Sequence, residues 1–101
     1  MKVVLSARVE ADIARQLEFS IERFGEPAAE RIFMRVDTFL HKFLPAHPRT
    51  GKWIAEAALY ESWIARTPFV AMYRIEPDEL TITVVAMFHH AQDRSAFTPN
   101  E

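Results

Sequence analysis

Phe69-Val70-Ala71-Met72-Tyr73-Arg74-Ile75-Glu76 is followed by the turn Pro77-Asp78-Glu79 and then by Leu80 to Phe88. Two apolar runs rich in aromatic and β-branched residues, joined by so short a turn, predict a pair of antiparallel strands. Alternation along the first places Phe69, Ala71, Tyr73 and Ile75 on one face and Val70, Met72, Arg74 and Glu76 on the other. In the second, Leu80, Ile82, Val84, Ala86 and Phe88 share a face opposite Thr81, Thr83, Val85, Met87 and His89. If helices pack on the face of Phe69, Tyr73, Ile75, Ile82, Val84 and Phe88, then Arg74 and His89 emerge together on the open face. That face is the expected functional surface.

Immediately upstream, Ala57 to Arg66 reads as another strand, with Leu59, Glu61, Trp63 and Ala65 on one side and Ala58, Tyr60, Ser62, Ile64 and Arg66 on the other. Thr67-Pro68 turns it into the opening stretch. Connections this short exclude crossovers, so the three strands form an antiparallel meander. Residues 44–56 contain Pro45, Pro48 and Gly51 and are expected to be a loop. Its His47, Arg49, Lys52 and Trp53 either contact a ligand or belong to a connector whose tryptophan folds back on the core.

Nearer the N-terminus, Lys2 to Leu5 is a short β-branched run and Ser6 a fitting N-cap. Val9, Ile13, Leu17, Ile21 and Phe24 then recur at helical spacing, and Gly25 ends the helix. Pro27 suits the first turn of a second helix, whose apolar stripe is Ala29, Ile32, Phe33, Val36, Phe39, Leu40 and Phe43. The two helices form an antiparallel hairpin, and Lys2 to Leu5 joins an edge of the meander. The expected class is α+β in one domain spanning residues 1–101: strand, helical hairpin, three-stranded antiparallel meander.

A chain of 101 residues, half of them hydrophobic, buries roughly 60 to 70% of its unfolded surface and needs no staple. It has no cysteine, no apolar run of membrane-spanning length and no signal-like N-terminus, so a cytoplasmic protein without a membrane partner is expected. Residues 1–51 carry eight Lys or Arg against seven Asp or Glu, whereas residues 52–101 carry four against seven. The half that holds the meander is therefore net acidic, unlike a surface that tracks a phosphate backbone.

Most site chemistries find no support in the residues. His89 and His90 are adjacent and point to opposite sides of a strand, and no other metal-ligand spacing occurs, so no metal is expected. Two glycines, Gly25 and Gly51, leave no phosphate-cradling loop, and no serine lies in a nucleophile context, so neither a cofactor nor a small-molecule substrate is expected. What remains is a polar set assigned to the open face: Arg74, His89, His90, Arg66, Glu61 and Tyr60. An arginine clamps phosphate and a histidine moves protons near neutral pH, as RNA cleavage requires. Alternatively, Arg74 pairs with Glu61 or Glu76 and His89 caps a strand end.

The order of elements resembles the RelE/ParE superfamily, toxins of type II toxin-antitoxin modules. The residues that carry the resemblance are Leu5-Ser6 ahead of Ala11-Asp12, Pro27-Ala28-Ala29, Thr67-Pro68-Phe69-Val70 leading to Tyr73-Arg74-Ile75, and the closing His89-His90-Ala91-Gln92-Asp93. The last is similar to an H-G-x-x-D-like ending after the fourth strand. The resemblance implies a cognate antitoxin as partner and one of two targets. RelE-like members cleave mRNA on the ribosome with basic residues and a C-terminal tyrosine, histidine or glutamate. ParE-like members inhibit DNA gyrase without an enzymatic activity of their own, and such modules stabilise plasmids.

By position, Arg74 matches the superfamily's third-strand arginine and His89 its histidine after the fourth strand; both are catalytic only on the RelE-like reading. Arg66, Glu61, Tyr60, His90 and Trp53 are candidate contacts to target or antitoxin. Ala91-Gln92 stand where many members place basic residues, and Ala96 to Glu101 hold no tyrosine. The acidic balance of the meander half favours the ParE-like branch, with RelE-like cleavage and an inactive binding module as alternatives.

Overall fold

Ser6 ends the first strand and begins the first helix with one side chain, because its Oγ accepts the Val9 amide at 3.1 Å and donates to the Val85 carbonyl at 3.2 Å. This is seen in a computed structural model in which residues 1–90 are described. Strand β1 (Lys2–Leu5) leads into helix α1 (Ala7–Phe24), and Gly25, at φ 85°, closes it through a hydrogen bond to the Ile21 carbonyl. Helix α2 (Glu26–Thr38) starts at once, with Pro27 in its first turn where no amide donor is needed. The helical hairpin expected from the periodicity is present.

The second helix outlasts its expected end. A wide turn over Phe39–Phe43 and one further turn over Leu44–Ala46 continue its axis. Pro45 lacks the amide that a regular helix would bond to His41, and its ring would crowd that carbonyl. The widened spacing, with the Leu44 amide bonded to Phe39 O, falls directly before the proline. Pro45, read as the start of a loop, thus sits inside a helical turn.

Four strands follow: β2 (Lys52–Ile54), β3 (Leu59–Trp63), β4 (Phe69–Ile75) and β5 (Thr81–His89). With β1 they form a sheet in the order β1-β5-β4-β3-β2, antiparallel except for the parallel pair β1 and β5. Strand β2 was expected to be loop. Three residues are too few to show a period, and its pairing of Lys52, Trp53 and Ile54 with Glu61, Tyr60 and Leu59 supplies what its own sequence does not.

One hydroxyl fixes the approach to β2. Tyr73 Oη donates to the Pro48 carbonyl at 2.9 Å and accepts the Gly51 amide at 3.0 Å. A Cβ on Gly51 would lie 2.9 Å from both Glu61 O and Tyr73 Oη, closer than any side chain tolerates. The ring of Tyr73 is fully buried, and burial raises the pKa of its hydroxyl, so it serves as a neutral donor and acceptor.

The helices cover one face of the sheet. Val9, Val36, Phe39, Leu40 and Leu44 pack there on Ile64, Phe69, Ala71, Tyr73, Ile82, Val84 and Met87. On the other face a smaller cluster joins Leu59, Met72, Val85, Ala86 and Phe88. No helix among the described residues is long and apolar enough to cross a membrane.

Candidate functional site

The pairing of β4 with β5 contains one irregularity, and it rearranges the expected site. Tyr73 is opposite Val84 and Met72 is opposite Ala86, which leaves Val85 as an extra residue. Such a bulge reverses which residues of the strand face which side. Before it, Ile82 and Val84 face the helices as expected; beyond it, Met87 does, while Ala86 and Phe88 join the other cluster. Phe88 was expected on the helix side and lies opposite.

The bulge is held from α1. Asp12 is buried, its Oδ2 accepts the Met87 amide at 3.2 Å, and Arg15 and Arg8 approach the same carboxylate. Together with the Ser6 bond to Val85 O, this satisfies backbone groups that an unbroken ladder would have paired.

Arg74 and His89 consequently do not share a surface. Arg74 is opposite Thr83 on the open face, as expected. His89 is opposite Phe69, has its ring edge against the Phe69 ring at 6.1 Å, and lines a hollow with Arg15, Phe19 and Arg23 of α1. Five residue steps along β4, from Phe69 to Arg74, separate the two positions, about 17 Å at ~3.4 Å per residue. The expectation that the two emerge together fails because strict alternation does not hold across Val85.

Arg74 has a partner of its own. Its Nε lies 2.5 Å from Glu76 Oε1, which also accepts the Thr83 hydroxyl at 2.8 Å. These two bonds hold the Glu76 carboxyl below its ordinary pKa. Arg49 pairs with Glu79 at 3.8 Å along the same cleft, which is also lined by Trp53, Tyr60 and Pro77. Each arginine there already faces a carboxylate, so the cleft presents little net charge to a phosphate.

The other sequence candidates scatter. Tyr60 belongs to the helix side, stacked on Tyr73 at 5.3 Å, not to the open face; the alternation of β3 had already separated it from Glu61. Trp53 meets Tyr60 edge-on at 5.1 Å and stays half exposed. Glu61 is on the open face, opposite Met72 and Lys52. His90 stacks on the exposed Trp63 at 5.5 Å. Arg66 occupies a left-handed turn at φ 60°, where its carbonyl accepts Arg35 Nη1 at 3.0 Å. Ala91, Gln92, Asp93 and the tail from Ala96 lie outside the described residues.

Among the described residues no cluster of three His, Cys, Asp or Glu offers a metal site. Sequence reasoning missed the basic surface that does form, where Arg31 and Arg35 of α2 approach Arg66. The four-residue spacing of Arg31 and Arg35 was a usable signal; the nearness of Arg66 was not in the sequence.

Comparison with known proteins supplies the class. Residues 3–94 match the family model described as the ParE toxin of the type II toxin-antitoxin system, parDE. The chain belongs to this ParE toxin family, within the RelE/ParE superfamily of toxins. Its fold is similar to a chain of the chromosomal ParDE system from P. aeruginosa, with a TM-score of 0.67 and 16% identity over 88% of this chain and 95% of that one. It is similar too to a chain of the toxin-antitoxin complex RelBE2 from Mycobacterium tuberculosis, with a TM-score of 0.63 and 22% identity over 87% and 95%. The comparison with curated proteins returns no match.

Proposed function

We propose that this toxin acts in the cytoplasm by inhibiting DNA gyrase and is neutralised by a cognate antitoxin, in the ParE-like manner and not as a nuclease. The observation that carries the reading is the separation of Arg74 from His89 by the Val85 bulge. Cleavage of RNA needs a proton-transfer group within hydrogen-bond reach of a clamped phosphate. Here the arginine is matched by Glu76 and the histidine lies on the other face, near α1. The acidic balance of residues 52–101 weakens RNA binding further, because affinity for a polyanion rests on the number of phosphates neutralised.

The purified toxin, added to a supercoiling reaction with gyrase, is expected to stop supercoiling and accumulate cleaved DNA, while mRNA ends on translating ribosomes stay unchanged. Ribosome-dependent mRNA cuts that disappear in Arg74→Ala would overturn the gyrase reading. Expression without antitoxin that leaves growth unaffected would point to an inactive binding module instead.

A further inference from the structure

The apolar stripe of α1 runs further than the core on which it packs. Val9 is fully buried and Ile13 and Leu17 are half-buried, whereas Ile21 and Phe24, which continue the same spacing, are 38% and 53% exposed. Every residue from Ile21 to Pro27 is exposed, so the corner where α1 meets α2 carries apolar side chains into water. At this corner Arg15, Gln16, Phe19, Arg23 and Phe24 line a hollow of about 510 Å³ against His89 at the end of β5.

The hollow is aromatic and cationic. Phe19 is 48% exposed, and the Arg23 guanidinium lies 6.0 Å from the ring centres of both Phe19 and Phe24, a cation–π arrangement that holds it at the surface. Among the described residues Arg23 forms no ion pair, and Glu18 and Glu22 of the same helix do not line the hollow. The Arg74 cleft differs, because glutamates stand beside its arginines. Large apolar groups exposed together beside an unmatched cation mark a contact surface.

The composition of the hollow selects a protein over a nucleic acid. Arg15 already approaches Asp12, which leaves Arg23 as the unmatched guanidinium, and affinity for a phosphate backbone rests on many such groups. The rings of Phe19 and Phe24 are met by Arg23 and offer apolar area that a phosphate backbone cannot complement.

We propose that this corner is the surface by which the toxin seats on gyrase, with Phe19 and Phe24 against an apolar patch of the enzyme and Arg23 on a carboxylate beside it. The inference rests on the gyrase reading and adds the toxin's contact residues and the chemistry of the patch that they need. An arginine on a carboxylate, flanked by aromatic side chains that exclude water, is the kind of group that dominates a protein interface. Held across two rings, Arg23 has less freedom to lose on binding.

Supercoiling reactions with gyrase, titrated with the full toxin chain, test this. Arg23→Glu is expected to raise the toxin concentration for half-inhibition by about tenfold or more and to flatten its salt dependence, as loss of an interfacial charge pair does. Phe24→Ser should raise it with the salt dependence retained, while the charge-matched control Lys42→Glu should inhibit as the wild type does. Equal urea midpoints establish that each variant is folded. Wild-type inhibition that both corner variants retain in full overturns the contact surface and leaves the gyrase reading standing. A wild type that does not inhibit supercoiling overturns that reading and the surface with it. Binding of the wild type to a labelled DNA duplex without gyrase, abolished by Arg23→Glu, assigns the corner to nucleic acid and overturns the proposal. A wild-type dimer in sedimentation velocity that Phe24→Ser abolishes assigns it to a second copy, and overturns the proposal too.

Discussion

The two ends of the β4–β5 ladder use polar groups in opposite ways. At the turn end, Arg74 and Glu76 satisfy each other and Asp78 accepts the Leu80 and Thr81 amides, all in contact with water. At the far end, the buried Asp12 reaches across from α1 to hold the Met87 amide at a bulge. The chemistry is similar, carboxylates accepting hydrogen bonds, but the energetic stakes differ because only the second set lacks water as an alternative partner. An arginine on the sheet is therefore weaker evidence of a site than a carboxylate beneath the sheet is evidence of a built structure.

Replacing Asp12 tests this contrast most severely. Asp12→Ala leaves the Met87 amide buried without the Asp12 acceptor and removes one partner of Arg15 and one of Arg8. A loss of about 2–3 kcal/mol in urea unfolding is expected, as for other orphaned buried donors. An unchanged midpoint would mean that the bulge holds itself and that α1 merely rests on it.

Tyr73, between the two ends, should give an intermediate effect. Tyr73→Phe keeps the packed ring but removes one donor to Pro48 O and one acceptor of the Gly51 amide. About 1–2 kcal/mol is expected from these two bonds at a partly buried site. Faster amide exchange should be confined to residues 48–54, since the hydroxyl anchors that segment and not the sheet centre. Global loss of protection would instead assign the hydroxyl to the core itself.

What the sequence hid follows from the same contrast. The helical hairpin was legible because its apolar residues recur at helical spacing, the Ser6 cap because it stands directly ahead of that pattern, and the Phe69–Ile75 strand because it is an apolar, aromatic-rich run bounded by turns. The Val85 bulge was not. Val84-Val85-Ala86-Met87-Phe88 is continuously apolar, and a strand buried on both faces carries no alternation from which a slip can be detected. One extra residue there moved His89 to the helix side and dissolved the expected pairing with Arg74. Strand β2 was hidden by its length, and the basic surface on α2 by the fact that Arg66 meets Arg31 and Arg35 only through the fold.

The smallest expected effect is at the turn end, and acid measures it. The Glu76 carboxyl is held below its ordinary pKa first by the Thr83 hydroxyl and then by Arg74, and Asp78 first by the Leu80 amide. A carboxylate with a depressed folded-state pKa contributes stability that is present above its unfolded value, about 4 for these groups, and is lost as the pH falls through the folded value. Glu76→Gln/Asp78→Asn should therefore unfold at slightly lower urea than the wild type at pH 7, and the gap should close as the pH drops below ~4, where the wild-type groups protonate too. Because the pair lies in water, added salt should narrow the neutral-pH gap as well. A gap that stays constant down to pH ~2 would assign the effect to uncharged hydrogen bonds at the turn. In that case Arg74 would be less neutralised than its 2.5 Å approach to Glu76 implies, and the contrast with the hollow around Arg23 would weaken.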